Sequence, residues 1–590
     1  MINDILRGPR VLIFAPMVLL LFLLVACGAS ATATPAATPA AVAPTATTQA
    51  VVATPIPQDT VAPPPQTGQP MVGGVIPLQA YAAPDHWGTH SSGTLNSIMF
   101  ASPMYNQLIE YNDSTHDNDD IRGDIAESWE ITNAGQTYIF RIRENINFHD
   151  GSPLTAEDVA FSLNRMVEPD ATRPRAGAIR SYMEFGDARV IDASTVQVDL
   201  KFASADFITF LAADVMKIVS KDVVESGVDV KKLENVNGSG PFTVKEYKRD
   251  VSAEYEYNPD YFKTGIGGAR LPYLDGMIYH VIVEKGTIIA AFKTNQVLVA
   301  VTVTTNLSVE ERDKLLEDMG GDLVAQGVSY GGVYGMMFNN SREPFHDARV
   351  RKALQLAINS TEVLIIAAGG DAYVGSPLPQ GPWFGPTTEE ALVLPGVRLT
   401  AAGDKHPDDI AEAKRLLDEA GLGTDWELTL SYRTVVQYPV IAPVIKDQLQ
   451  KNLGITVKLE ALESSAGLTR WRDLDFGMAI QGHAFSTYVA DAIFSALYRP
   501  GGTRNYADYA DPVIEELFPQ QAAELDATKR LELIQQMGQR LFDVPGPWIP
   551  IYWTQGGPRL AHKSVHGVFG TPSTQNQLKN ENFWFDPSEL

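Results

Sequence analysis

Cysteine is almost absent from this 590-residue sequence: Cys27 stands alone, so no disulfide can form within the chain. Clustered positive charge is also missing. Lys and Arg total 46 against 71 Asp and Glu, giving a net charge of −25 and a pI near 4.8. With no basic patch to neutralise phosphates, a nucleic-acid partner is excluded, and the acidity reads as solubility. No P-loop pattern is available to cradle a nucleotide, and no His-Glu-x-x-His pair to hold a catalytic zinc. No Gly-x-Ser-x-Gly nucleophile elbow is expected either. His86 and His90 are four apart, but the intervening Trp87–Gly88 spoils a helix and two ligands make no site, so no metal is expected. The acidic run 117–120 lacks the glycine and terminal glutamate of a calcium loop and reads as a solvated loop. No internal repeat is found. These absences leave no enzyme reading beyond paired carboxylates, as in a secreted hydrolase, and imply no cofactor.

What is present begins with one long apolar run. Arg7 and Arg10 precede it, it extends over 11–26, and Cys27 closes it, which is the layout of a secretory signal. The stretch is short for a membrane span and contains Pro16. Its end resembles the bacterial lipobox, which implies that Cys27 is lipidated and becomes the mature N-terminus. Residues 28–72 are almost wholly Ala, Thr, Pro, Val and Gln, with Asp59 the only charge, and read as an extended tether. A folded body starts near Gly73. With 45% hydrophobic and 20% charged residues the chain can bury large cores.

Within the body, 126–163 is the most patterned stretch. Trp129 and Ile131 alternate, a turn with Gly135 follows, and Tyr138, Phe140 and Ile142 alternate again. That predicts an antiparallel hairpin with one buried face. Thr155 and Asp158 then form a capping-box pattern ahead of Val159, Phe161 and Leu163. Further strands are expected at 75–78, 278–283, 335–339 and 548–553, with a strand pair over 190–202. Helices are expected at 102–109, 288–293, 348–358, 407–420 and 529–542, with a βαβ unit over 426–459.

Several of these stretches together resemble the family 5 solute-binding proteins, receptors of ABC importers for oligopeptides, dipeptides and nickel. The resemblance is carried in order by 126–163, by NGSGPF at 237–242, NPDYF at 258–262, FNNSREPFHDARVRKALQLAIN at 338–359 and HPDDIAEAKRLLDEAG at 406–421. It implies an α/β, two-lobed periplasmic-binding-protein-like fold with a discontinuous first lobe (73–331 and 550–590, with an extra subdomain), a second lobe (332–549) and two crossover strands. It further implies a monomeric, lipid-anchored receptor outside the cytoplasmic membrane, which closes around a solute and delivers it to a permease driven by a separate ATPase. Other readings on the same fold are an oligosaccharide receptor and a ligand sensor.

In peptide-binding members an aspartate in an Ala-Asp-Tyr motif pairs with the solute's ammonium group. Aligned on Tyr488, that position is Thr487, and the nearest carboxylate is Asp491. Either Asp491 takes the role, or the solute lacks a free amino terminus, or Asp491 caps the helix that follows. The family's aromatic cleft implies His86, Trp87, Trp471, His483, Phe485, Tyr552 and Trp553 as further solute contacts.

Overall fold

The computed structural model describes residues 69–590 except 93, 113–119, 170–172, 174–176, 205, 302–304, 306, 371, 381–384, 435–436, 486, 488, 503, 507–508, 525 and 569–577. Cys27, the signal and nearly all of the tether lie outside the described residues. Among those described, no helix is long and apolar enough to cross a membrane.

Alternating apolar strands build an eleven-stranded sheet that runs through the body. One end takes its order from Thr456–Leu462, Glu427–Arg433 and Met478–His483. These three are mutually parallel, joined first by the helix Tyr438–Leu453, so the βαβ unit forms as its pattern predicts. The other end holds Val299–Val301, Val75–Ala80, Gly276–Val281, Ser252–Tyr257 and Phe242–Lys248, the first three again parallel. Between the two ends lie a pair of long antiparallel strands, Leu323–Phe338 and Trp548–His562. They are the crossovers, and each is longer than its expected segment. Their pairing slips between Gln326 and Gly332, where bulges interrupt the ladder. Among the described residues this bulged two-strand ribbon joins the two ends of the sheet. The letters Gly-Val-Ser-Tyr-Gly at 327–331 match a nucleophile elbow, but they lie inside this strand rather than at a strand-to-helix turn.

Residues 550–554 correct the expected boundary. They pair with Ala372–Val374 and with 332–335, on the second-lobe side, while 559–561 pair with Val299–Val301. The neighbours of this strand therefore change within 555–559, several residues after Pro550. A second correction concerns 102–109. The helix there is Leu95–Ala101, capped by the Thr94 hydroxyl. Pro103 has no N–H to return to the preceding turn, so a short 3-10 segment ends the helix and the chain enters the strand Ile109–Tyr111.

The hairpin Ala126–Thr132 and Thr137–Ile142 forms one side of a separate four-stranded antiparallel sheet, completed by Thr195–Asp199 and Ala188–Asp192. Tyr138, Phe140 and Ile142 are buried as expected, but Ile131 is 46% exposed. Its strand is the sheet's edge, so its side chain lacks a neighbour on one flank. The capping box is made: Thr155 and Asp158 hold the first turn of Ala156–Met166. The NGSGPF turn is fixed by close approach. A Cβ on Gly240 would run into the backbone of Met104 and Tyr105, against which Gly240 N–H donates to Met104 O at 3.0 Å. Gly240→Ala is expected to cost about 1–3 kcal/mol, read as a lower urea midpoint; an unchanged midpoint would show that the turn can move.

Candidate functional site

Strand direction locates the site. His483, at the C-terminal end of Met478–His483, is opposite Val333, beside the bulged ribbon. Arg433 ends the neighbouring parallel strand. In the other half, Val301 is opposite Arg559, so the C-terminal ends of Val299–Val301 and Val75–Ala80 also face the ribbon. Parallel α/β sheets bind ligands beyond the C-terminal ends of their strands. Here both halves present those ends to the same ribbon.

On the second-lobe side the residues interlock. The Arg433 guanidinium lies 5.2 Å from the Tyr438 ring and 5.5 Å from that of Trp471, and its Nη2 donates to Tyr438 Oη at 3.2 Å. Tyr438 Oη in turn accepts from Gly482 N–H at 3.0 Å. Tyr334 stacks on Tyr552 with centroids 5.0 Å apart. His483 meets Phe485 edge-on at 4.4 Å, Phe485 stacks on Trp553 at 6.0 Å, and Arg504 Nε lies 3.1 Å from His483 Nδ1. The Trp553 N–H donates to Ser376 O at 2.9 Å. Three buried polar atoms here, Trp471 Nε1, Thr487 Oγ1 and Tyr552 Oη, have no hydrogen-bond partner among the described residues. Buried polar atoms are normally paired, so orphans of this kind mark places for a solute or an ordered water.

The first-lobe side is less open than the sequence suggests. Trp87 packs edge-on between Phe100 at 6.1 Å and Tyr247 at 5.1 Å, and is a core residue rather than a cleft wall. His86 remains half-buried beside Asp85, 3.9 Å away. His90 is buried, with Nε2 2.7 Å from Lys217 O, and burial together with the nearby Arg165 lowers its pKa to about 3. It is a neutral structural histidine.

Asp491 lies where the two halves touch. It is the second residue of the helix Ala490–Leu497, whose N-cap is Val489, so it is not a helix cap. Its carboxylate is fully buried. From the four-stranded-sheet region, Tyr182 Oη donates to Oδ2 at 2.5 Å, with Ser204 Oγ 3.5 Å away. From the second lobe, Gln521 Nε2 donates to Oδ1, and Arg530 Nη2 stands 3.7 Å off. Arg530 turns its fork to Asp206, donating through Nη1 at 2.8 Å and through Nη2. Phe202 meets Phe518 edge-on at 6.0 Å alongside. Burial, then the Asp206 charge, push the Asp491 pKa up to about 6 against the pull of Arg530.

Residues 120–505 match the family described as bacterial extracellular solute-binding proteins, family 5 Middle. That is well over half of the chain. This protein belongs to family 5 of the solute-binding proteins. A dipeptide-binding protein of Bacillus subtilis (strain 168), DppE, is 24% identical over 480 residues, 77% of this chain and 82% of its own length. The fold is shared with the periplasmic binding protein DppA of Helicobacter pylori, in complex with the peptide STSA, at TM-score 0.70 and 20% identity over 87% of this chain and 98% of that one. It is shared equally with AgaA of A. tumefaciens R10, in complex with agropinic acid, at TM-score 0.71 and 21% identity over 87% and 99%. The two-lobed architecture follows from those structures. The family consists of substrate-binding receptors that work outside the cytoplasm, so this family 5 protein is a solute receptor.

Of the site residues named from the sequence, His483, Phe485 and Trp553 are in contact on the second-lobe side, while Trp471, Tyr552 and Trp553 are, like Trp87, core residues. Tyr182, Asp206, Gln521 and Arg530 are the residues that sequence reading missed. Asp206 and Arg530 are 324 positions apart, and no local pattern pairs them.

Proposed function

We propose that this protein is the membrane-anchored receptor of an ABC importer, closing around an oligopeptide or similar small polar solute and handing it to a permease driven by a separate ATPase. The convergence of strand ends from both lobes on one bulged ribbon carries the proposal: a solute held there touches both lobes and favours closure by its extra affinity for the closed form. If the closed form is populated at about 1%, closure draws roughly 2.7 kcal/mol from intrinsic binding, which a micromolar solute at about −8.2 kcal/mol tolerates. Peptide solutes are supported by the names of the relatives. Cys27 would carry the acyl chains, the tether 28–72 would let the body stand clear of the bilayer, and the receptor would act as a monomer. The orphan Trp471 N–H and Thr487 hydroxyl suit neutral oxygen partners and favour an oligosaccharide as the second reading.

Native mass spectrometry of the protein purified without denaturant tests this. A bound mass that fragments as a peptide, and is regained on adding that peptide to stripped protein, is the expected result. A fragmentation pattern of sugars moves the assignment to the second reading, and turnover of the bound solute would sink the receptor mechanism.

A further inference from the structure

We propose that Asp491 is a clasp between the lobes rather than an anchor for the solute, so that the receptor closes on solutes that bring no ammonium group to it. The inference rests on the receptor reading and deepens it.

Four observations support it. Asp491 contributes no exposed surface, so a cationic group can reach it only by displacing what already surrounds it. Both carboxylate oxygens accept from side chains, one from each lobe: Tyr182 on the first and Gln521 on the second. The strongest charge contact in the same layer, Asp206 with Arg530, also spans the lobes. Finally Thr487, three residues before the helix that carries Asp491, is buried with no hydrogen-bond partner for its hydroxyl among the described residues. A hydroxyl can meet an amide or hydroxyl oxygen of a solute, but it cannot compensate a buried ammonium. The site is thus arranged for a neutral solute end, such as that of an N-blocked peptide, while the carboxylate that could have held a charge holds the lobes together.

Titration follows the same geometry. The charged groups facing Asp491 are Asp206 and Arg530, with the Tyr182 phenol in contact. A carboxyl whose pKa rises to about 6 where it is buried between Tyr182, Gln521 and Arg530 takes up a proton when those contacts form. Closure is therefore favoured as pH falls through 6 and disfavoured above it.

The test has two arms, both on the mature full-length protein. Single-molecule distance measurement between labelled lobes, without solute, compares wild type with Tyr182→Phe, which keeps the ring and its packing. We expect the open-to-closed ratio to rise about tenfold at pH 7.5. An unchanged ratio overturns the clasp. A closed fraction in wild type that does not grow between pH 7.5 and 5, or growth that persists in Asp491→Asn, also overturns it. In the second arm, peptide mixtures of the same sequences with free or acetylated amino termini are offered to wild type and Asp491→Asn. Acetylated peptides binding as well as free ones in both proteins is the expected result. A preference for free amines that Asp491→Asn abolishes returns Asp491 to the anchor role. Binding of neither mixture overturns the peptide reading above, while the distance arm still decides the clasp.

Discussion

Arg530→Met will lower the stability of the protein by about 3–5 kcal/mol, seen as a lower denaturation midpoint in urea with Arg530 the only change. The guanidinium is 15% exposed and compensates Asp206, whose side chain is 8% exposed, while lying 3.7 Å from the fully buried Asp491. Removing it leaves Asp206 and Asp491, both largely buried, without the cation they share. The cost comes from stranding those charges, not from losing a favourable pair. Hence the double change Asp206→Asn with Arg530→Met should recover a large part of the loss. A double variant as unstable as the single one would assign the effect to packing. Because the layer joins the lobes, some of the loss can appear as opening rather than unfolding, so the lobe distance should be recorded in the same titration.

The second large effect is expected from Lys579→Met, again about 3–5 kcal/mol. Lys579 contacts Glu110 and lies 2.8 Å from Asp124 and 3.7 Å from Glu581, all buried. Lys263 completes the knot at 2.6 Å from Glu110 and 2.7 Å from Glu581, with Arg122 on its rim at 2.8 Å from Glu110. Burial alone would raise the Glu110 pKa, but Lys263, Lys579 and Arg122 hold it well below its ordinary value, and the lysines lower that of Glu581 against burial and the Glu110 charge. Carboxylates depressed in the folded state stabilise it above their unfolded pKa, and that contribution is lost as pH falls below it. The variant should therefore lose most of its deficit relative to wild type in acid, where these carboxylates protonate. A deficit equally large at pH 3 and pH 7 would show that the lysine acts by packing.

Much of the fold is legible in the sequence because it is encoded locally. The capping box at Thr155–Asp158, Pro407 at the start of its helix and the alternation of Tyr138, Phe140 and Ile142 all act within a few residues, and each appears in the structure. Period alone does not tell an edge strand from an inner one, so Ile131 was expected in the core and lies exposed. The misplaced helix at 102–109 has a similar origin: the Thr94 cap and the missing Pro103 N–H outweigh an apolar run. Resemblance carried the architecture but not the lobe boundary, because alternation continues through the whole of Trp548–His562 and gives no sign of where its neighbours change.

The site is legible only as a region. His483 lies at a strand end beside the bulged ribbon, but the setting of Asp491 depends on Tyr182, brought from 309 positions away. A carboxylate in a binding motif reads alike whether it awaits a ligand or already has partners. Trp87 shows the converse, since an aromatic next to a cleft loop can serve wholly to pack its own lobe.

The charged knot also has a consequence for the order of assembly. Its Glu110, Asp124 and Lys263 come from the first half of the chain, yet Lys579 and Glu581 come from the far side of the second lobe. A chain made from its N-terminus holds Glu110 and Asp124 without their Lys579 contacts until more than 300 further residues have followed Lys263. The first lobe begins early but is completed last, and the second lobe must form as an insertion within an unfinished partner. Loss of residues 579–581 would thus be felt as failure of the first lobe, at the opposite end of the sequence from the lesion.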